Sequence, residues 1–153
     1  MLQIEQQGQQ ISYIASGCIR SSDSTFPERL GTIFTGVEQL LEEFRPEEMA
    51  VEQVFVNKNA GSALKLGQAR GAAICAGVNR SLPVAEYAPR EIKQAIVGRG
   101  GAEKDQVQHM VCVLLQLVAS PPSDAADALA MAICHGHVQS TQQRVLQMGR
   151  VAR

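Results

Sequence analysis

The sequence predicts an α/β fold, with a layered sheet flanked by helices. Short segments alternate apolar with polar residues, which is typical of strands. Longer segments repeat apolar residues at helical spacing, and after Gly31 the two kinds of segment follow one another along the chain. A length of 153 residues suits one domain with one core.

The first third of the chain predicts two strands and a helix. Gln9–Ile19 alternates apolar with polar or small residues, and Gly8 marks a turn after a preceding strand in "LQIEQ". The helix then has apolar residues at a period of 3.6, namely Leu30, Ile33, Phe34, Val37, Leu40, Leu41 and Phe44. It ends at Arg45, because a residue that precedes proline disfavours helical geometry.

The rest of the chain alternates strands and helices. Strands are predicted at Met49–Val56 and Pro83–Pro89, and helices at Ser62–Asn79, Arg90–Gly98, Ala102–Leu117 and Ser123 to about His137. The polar residues after Ser140 are expected to be loosely ordered. We therefore predict a folded domain over 1–140 and a polar tail over 141–153.

Charge is balanced overall but divided along the chain. The net charge is −1, yet Glu28–Glu52 holds seven acids against two bases, and Phe55–Lys104 holds eight bases against three acids. This division allows one basic face, which favours a partner rich in phosphate.

Composition predicts a cytoplasmic protein with no membrane partner. The first ten residues lack the apolar stretch of a secretory signal, and no apolar run reaches the ~18 residues that cross a bilayer. The four cysteines form no CxxC pair, and we expect them to be small core residues in a reducing compartment: Cys18, Cys75, Cys112 and Cys134.

Three acidic residues are candidate metal ligands. In "PPSDAADALAMAICHGH", Asp124 and Asp127 begin an apolar helix and share one of its faces, where they would either complement the helix dipole or bind a ligand. Glu52 is predicted at the carboxyl end of a buried strand, where it would be neutralised by a basic residue or by a metal ion. If the three meet, a divalent cation such as Mg²⁺ or Mn²⁺ would relieve their repulsion.

Other candidates have both a structural and a functional explanation. The glycine-rich "VGRGGAEK" leads into a helix, whose N–H groups could hold a phosphate, but it lacks the Walker lysine. Phe55 is either a core residue or a platform for a base. Lys65 and Arg70 are either solvated charges or DNA contacts. Glycines inside Ser62–Asn79 suggest close contact with another backbone.

Three blocks carry a family resemblance: "AVEQVFVNKNAGSALKLGQARG", "PREIKQAIVGRGGAEKDQVQHMV" and "DAADALAMAICHGH". From Gln9 to His137 the sequence resembles the RuvC family of Holliday-junction resolvases. The resemblance implies a ribonuclease H-like mixed sheet flanked by helices, and a homodimer whose contact we place on Ser62–Asn79. It also implies Mg²⁺-dependent nicks, paired and symmetric, in four-way DNA junctions during recombination and repair. Two ions per subunit (Mn²⁺ substituting) and a branch-migration complex as partner are expected.

The resemblance also assigns roles by position. Glu52, Asp124 and Asp127 match three of the family's four catalytic and metal-binding carboxylates. Lys93 and Lys104 match catalytic basic residues near the scissile phosphate. Phe55 matches an aromatic residue that contacts bases at the junction. Apart from the resemblance, we also expect DNA contacts from basic residues of the basic segment, namely Lys58, Lys65, Arg70 and Arg99.

One departure from the family pattern stands out. The family begins with a strand that ends in a "GIDPG"-like turn, whose aspartate is the fourth ligand, and this sequence has no such segment. We therefore expect the first strand of the sheet to be absent from this chain. The alternative function is a junction-binding module with impaired catalysis, and the chain as written is expected to cut scarcely.

Overall fold

The computed structural model describes residues 2–7, 10–21, 25–55 and 59–151. These residues form two compact units. The first unit comprises Gly17–Ala88, and the second joins Leu2–Ser16 to the chain from Pro89 onward. The predicted boundary after residue 140 stays a prediction.

Four strands and five helices make up the described chain. In order they are β1 (Leu2–Gln7), β2 (Gln10–Ser16), α1 (Phe26–Phe44), β3 (Met49–Glu52), α2 (Ala60–Asn79), β4 (Val84–Tyr87), α3 (Pro89–Val97), α4 (Lys104–Leu114) and α5 (Ser123–Val151). The predicted mixture of strands and flanking helices is confirmed.

Each unit contains a two-stranded sheet. In the first unit β3 and β4 are parallel, with Met49 opposite Val84 and Glu52 opposite Tyr87. The pairing extends one residue further, because the Gln53 N–H donates to the Tyr87 carbonyl at 2.9 Å. In the second unit β1 and β2 are antiparallel. The strand alternation in the sequence thus predicted the right elements.

Helix α1 ends at Arg45, where the sequence predicts it, and begins at Phe26, about one turn before the first predicted apolar residue, Leu30. The N–H and the hydroxyl of Thr25 both donate to the Glu28 carboxylate, at 2.7 and 2.9 Å, which lowers the pKa of that carboxyl. At the other end Arg45 adopts a left-handed conformation with φ 46°, and its N–H caps the Leu41 carbonyl. The proline that follows cannot continue the helix.

The core of the first unit lies between α1 and α2. Val37 and Leu41 of α1 pack with Ala76 of α2, and Met49 and Ala73 border this cluster. Small residues on α2 permit the close approach, since a side chain longer than alanine would push the helices apart.

The core of the second unit surrounds α5. Leu129 and Ile133 are completely buried, and α5 packs on α3, α4 and β1. Val111 of α4 and Ile92 of α3 supply buried side chains to this unit. The apolar face of α5 is therefore core, which leaves its other face to the acidic residues at its start.

Three sequence predictions about the elements and the cysteines are wrong. Strand β3 ends at Glu52, before the predicted Val56, because its partner β4 ends at Tyr87 and Pro89 begins α3. Helix α5 does not end near His137 but continues to Val151, because "QSTQQRVLQM" consists largely of residues that tolerate a helix and contains no proline or glycine. The cysteines are not all core residues, since Cys18 and Cys75 are exposed, and only Cys134 is buried. Cys75 is exposed because it lies on the side of α2 that faces away from α1.

Among the helices that the structure describes, none combines the length and the apolar character needed to cross a membrane.

Candidate functional site

Glu52 stands at the carboxyl end of β3, where the sequence predicts it. The predicted burial of its side chain is wrong, because the buried residue here is its neighbour Val51, whose side chain points to the opposite face of the strand. Glu52 is exposed. Its carboxylate therefore does not need neutralisation by burial with a basic partner, and it is accessible to a ligand from solvent.

Arg70 of α2 binds the backbone of β3 at this residue. Its Nε donates to the Glu52 carbonyl at 2.9 Å, and a terminal guanidinium nitrogen lies 2.5 Å from an oxygen of Glu86 on β4. Only 22% of the Arg70 side chain is exposed. Arg70 is thus not a solvated charge, which was one of its two explanations. Its contact with DNA stays a prediction.

Asp124 and Asp127 lie in the first two turns of α5. Ala125 and Ala126 between them are buried, so the two carboxylates lie on the exposed side of the helix. The Asp124 carboxylate makes no hydrogen bond to any residue that the structure describes, which leaves the dipole as its only structural role. Asp127 instead forms an ion pair with Lys104.

The Lys104–Asp127 pair brings together two predicted site residues. The Lys104 Nζ lies 3.1 Å from Asp127 Oδ2, and both side chains are largely exposed, at 67% and 46%. Such an exposed pair stabilises the fold by about 1 kcal/mol at most. Its main consequence is electrostatic, since a cation must compete with the ammonium group for Asp127, and an anion must compete with the carboxylate for Lys104.

The loop before α5 is held by contacts that the sequence did not predict. Gln108 of α4 donates its side-chain N–H to the Pro121 carbonyl at 2.7 Å, and the Cys112 thiol lies 3.9 Å from the Ser120 hydroxyl. These contacts fix the entry of the chain into α5. No motif could have indicated them, because they depend on how α4 packs beside the loop.

The glycine-rich turn between α3 and α4 has structural reasons for its glycines. Gly98 has φ 77°, which favours glycine, and its N–H caps the Gln94 carbonyl at 2.9 Å. A side chain at Gly100 would collide with the Arg90 side chain. Glu103 precedes α4 and puts a negative charge at the end where a phosphate would bind. Phosphate binding by this turn stays a prediction.

The other predicted DNA contacts are mostly accessible. Phe55 is 62% exposed, so it is not a core residue. Lys65 and Arg99 are exposed and Lys93 is half-buried. Lys58 lies outside the described residues. Each of these roles stays a prediction.

The outer face of α2 is apolar and contains glycine. Leu64 and Val78 are 65% and 59% exposed, and Gly71 lies between them on the same side of the helix. A Cβ added at Gly67 or Gly71 would meet nothing within 4 Å in this chain. The contact predicted on Ser62–Asn79 does not include Ala73 and Ala76, because they pack against α1.

The predicted metal ligands belong to different units. Glu52 is in the first unit, and the two aspartates are in the second. Within the described residues no group of three or more acidic, histidine or cysteine side chains is placed to hold a metal ion. The three-carboxylate site therefore stays a prediction. Its donor chemistry fits a hard divalent cation, since all three side chains offer oxygen.

Carboxylates at a strand end and a helix start, with a lysine beside one of them, suit the class of proteins that hydrolyse phosphodiesters with divalent cations. Comparison with known proteins agrees with this class. Residues 2–135 match the family model "Crossover junction endodeoxyribonuclease RuvC". The chain therefore belongs to the RuvC family.

Relatives in two bacteria are similar over most of their length. The protein named crossover junction endodeoxyribonuclease RuvC of Edwardsiella ictaluri is 60% identical over 142 residues, which cover 93% of this chain and 82% of that protein. The protein of the same name from Methylococcus capsulatus is 61% identical over 137 residues, or 90% and 83% of the two chains.

A solved structure described as T. thermophilus RuvC in complex with Holliday junction substrate is similar to the fold. It has a TM-score of 0.85 and 34% identity, and the match covers 91% of this chain and 86% of that one. A second Thermus thermophilus RuvC structure gives a TM-score of 0.77. The predicted ribonuclease H-like fold and family membership are confirmed.

Proposed function

We propose that this protein is an endonuclease that resolves four-way DNA junctions in recombination and repair, in the cytoplasm. The observation that carries the proposal is the similarity, over 91% of the chain, to a RuvC structure in complex with Holliday junction substrate. The reaction is hydrolysis of one phosphodiester in each of two symmetric strands. A branch-migration complex that moves the junction is the expected partner.

Glu52, Asp124 and Asp127 are the proposed holders of two Mg²⁺ ions, for which Mn²⁺ can substitute. When bound, such ions supply activation of water and stabilisation of the leaving oxygen. The protein's own contribution is to present carboxylates from a strand end and a helix start, both held by neighbouring elements. The exposure of Glu52 and Asp127 supports this role, because a phosphate and its cations must reach them from solvent.

Basic residues position the phosphate in this proposal. Lys104 would exchange its ion pair with Asp127 for the scissile phosphate once cations neutralise the carboxylate, and Lys93 would neutralise the developing charge. Phe55 would stack on a base at the junction centre, a contact worth about 1–3 kcal/mol per base. Lys58, Lys65 and Arg99 would bind the DNA backbone.

A homodimer formed through the outer face of α2 would match the two-fold symmetry of the junction. Two glycines on this face permit close approach of a second backbone, although each costs the isolated helix about 1 kcal/mol relative to alanine. The exposed Leu64 and Val78 would supply the apolar area that such a contact buries.

Cleavage of a labelled four-way junction, beside a linear duplex of the same sequence, tests the proposal. With Mg²⁺ we expect symmetric nicks in the junction alone, formed slowly because only three of the family's four carboxylates are present in this sequence. Glu52→Gln and Asp124→Asn should reduce cleavage by at least 100-fold, whereas Glu47→Gln, an exposed acid of the same unit as Glu52, should not. Junction binding in Ca²⁺ without any cleavage in Mg²⁺ would favour the binding-module alternative and contradict the proposal.

A further inference from the structure

Arg70 joins three elements at the residue that we propose as a metal ligand. It lies on α2, its Nε donates to the Glu52 carbonyl of β3, and its terminal nitrogen pairs with Glu86 of β4. We propose that Arg70 is a positioning residue, which holds the backbone at Glu52 so that this carboxylate is presented for metal binding. The inference rests on the proposed function of Glu52.

The strand pairing alone does not hold this carbonyl. The N–H groups of Met49 and Gln53 donate to carbonyls of the β4 segment at 2.9 Å. Since backbone groups alternate in direction along a strand, the groups of Glu52 point away from β4. Glu52 is also the last residue of β3. Its carbonyl is therefore held at the strand end by the guanidinium of Arg70 rather than by the parallel ladder.

The geometry requires arginine. A planar guanidinium offers separate N–H donors in a fixed fork, so one side chain can bind a carbonyl on β3 and a carboxylate on β4 at once. A lysine ammonium is a single compact charge on a flexible stem and would lose one of the two contacts. The side chain is 22% exposed, so most of it is shielded from the solvent that weakens surface ion pairs.

This engagement distinguishes Arg70 from a residue that binds DNA. A phosphate that bound Arg70 would have to displace Glu86, which lies 2.5 Å from the guanidinium. A positioning role instead leaves the contact in place throughout the reaction. Loss of the contact would change the direction of the Glu52 carboxylate, and losses of this kind around a metal ligand cost about 10–100-fold in metal affinity or activity.

The experiment compares Arg70→Gln, Arg70→Lys and Glu86→Gln with Arg80→Gln as the matched control. Arg80 is the C-terminal capping residue of the same helix. Its ion pair with Glu42, at 3.4 Å, does not involve β3. Three quantities are measured on the full chain. They are the Mn²⁺ dissociation constant by calorimetry, the junction dissociation constant in Ca²⁺ at several salt concentrations, and the Mg²⁺-dependent cleavage rate.

We expect Arg70→Gln to weaken Mn²⁺ binding by about 10-fold or more, to lower the cleavage rate by a similar factor, and to leave junction affinity and its salt dependence unchanged. Arg70→Lys should recover part of the Mn²⁺ affinity. Glu86→Gln should show a smaller loss, because the bond to the Glu52 carbonyl remains. Arg80→Gln should behave as the parent protein.

Two results would overturn the inference. Unchanged Mn²⁺ affinity with weaker junction binding and a salt slope reduced by about 1 would make Arg70 a phosphate contact. Unchanged Mn²⁺ and junction affinities with only a lower unfolding midpoint would make it a structural link. If Arg70→Gln does not fold, Arg70→Lys and Glu86→Gln decide by the same measurements. Failure of the proposed function is separate, since Glu52→Gln would then keep full Mn²⁺ affinity.

Discussion

Two glycines of α2 should respond in opposite ways to the same substitution. Gly77 is buried, and a Cβ there would lie 2.7 Å from the Met49 sulfur and 3.4 Å from a Val84 methyl group. Gly67 has nothing within 4 Å of the same position. Alanine at either position removes the helix-propensity penalty of glycine, which is worth about 0.8–1 kcal/mol. Only at Gly77 must the added methyl group push a neighbour aside.

The two terms give a sign for each variant. Gly67→Ala should raise the free energy of unfolding by about 0.5–1 kcal/mol. At Gly77 the same gain is opposed by an overpacking cost of about 1–3 kcal/mol, so Gly77→Ala should be neutral or destabilising by up to about 2 kcal/mol. The Met49 side chain is flexible and can move away, so the effect of Gly77→Ala should lie nearer the neutral end of this range.

Urea denaturation of both variants, at a protein concentration low enough to keep the chain monomeric, measures the difference without a contribution from the proposed α2 contact, which includes Gly67. A double-mutant cycle with Met49→Ala identifies its source, because removal of the thioether should make Gly77→Ala favourable again, with a coupling energy of about 0.5–3 kcal/mol. If Gly77→Ala stabilised the parent protein as much as Gly67→Ala does, the packing of α2 on β3 described above would be incorrect.

Three further predictions concern the candidate site and its surroundings. Lys104→Met should strengthen Mn²⁺ binding up to about 5-fold, because it releases Asp127 from its ion pair, and it should slow junction cleavage. Calorimetry and the cleavage assay measure the two effects. Weaker Mn²⁺ binding would contradict the idea that Lys104 competes with the cation for Asp127. Burial raises the pKa of the Cys134 thiol, so at neutral pH iodoacetamide should modify it at least about 10-fold more slowly than the exposed Cys18. Peptide mass spectrometry measures the two rates, and equal rates would count against the described core. Gly71→Arg should convert a dimer to a monomer in sedimentation at micromolar concentration, whereas a monomeric parent protein would remove the basis for the α2 contact.

The sequence predicted the elements of the fold because local signals mark them. Helix α1 shows this best, since its apolar spacing and its Arg45 end were both predicted and both depend on residues close in the chain. The end of α5 could not be placed in the same way. Its second half lacks a stop signal, and polar composition alone does not distinguish a solvated helix from a loose tail.

The candidate site, like the fold, was predicted correctly only where local sequence signals determine the arrangement. Asp124 and Asp127 share a helix face because of their spacing, which any sequence shows, and their exposure follows from the buried alanines between them. The burial of Glu52 was predicted wrongly, because alternation along a strand identifies two faces but does not say which one meets the core. That choice depends on where α2 packs.

The contacts of Arg70 lie beyond sequence patterns for the same reason. Its hydrogen bond reaches a residue 18 positions earlier, and its ion pair a residue on a strand that follows. Both contacts require α2 to pack on the β3–β4 pair in one fixed position. The close packing of Gly77 against Met49 and Val84 helps to set this position. The contacts of Arg70 thus depend on the close packing that Gly77 allows at the end of α2. If Gly77→Ala shifts α2, it should therefore also weaken Mn²⁺ binding, whereas Gly67→Ala should leave the Mn²⁺ affinity unchanged. Equal Mn²⁺ affinity in both variants would show that the packing of α2 does not control how Glu52 is presented.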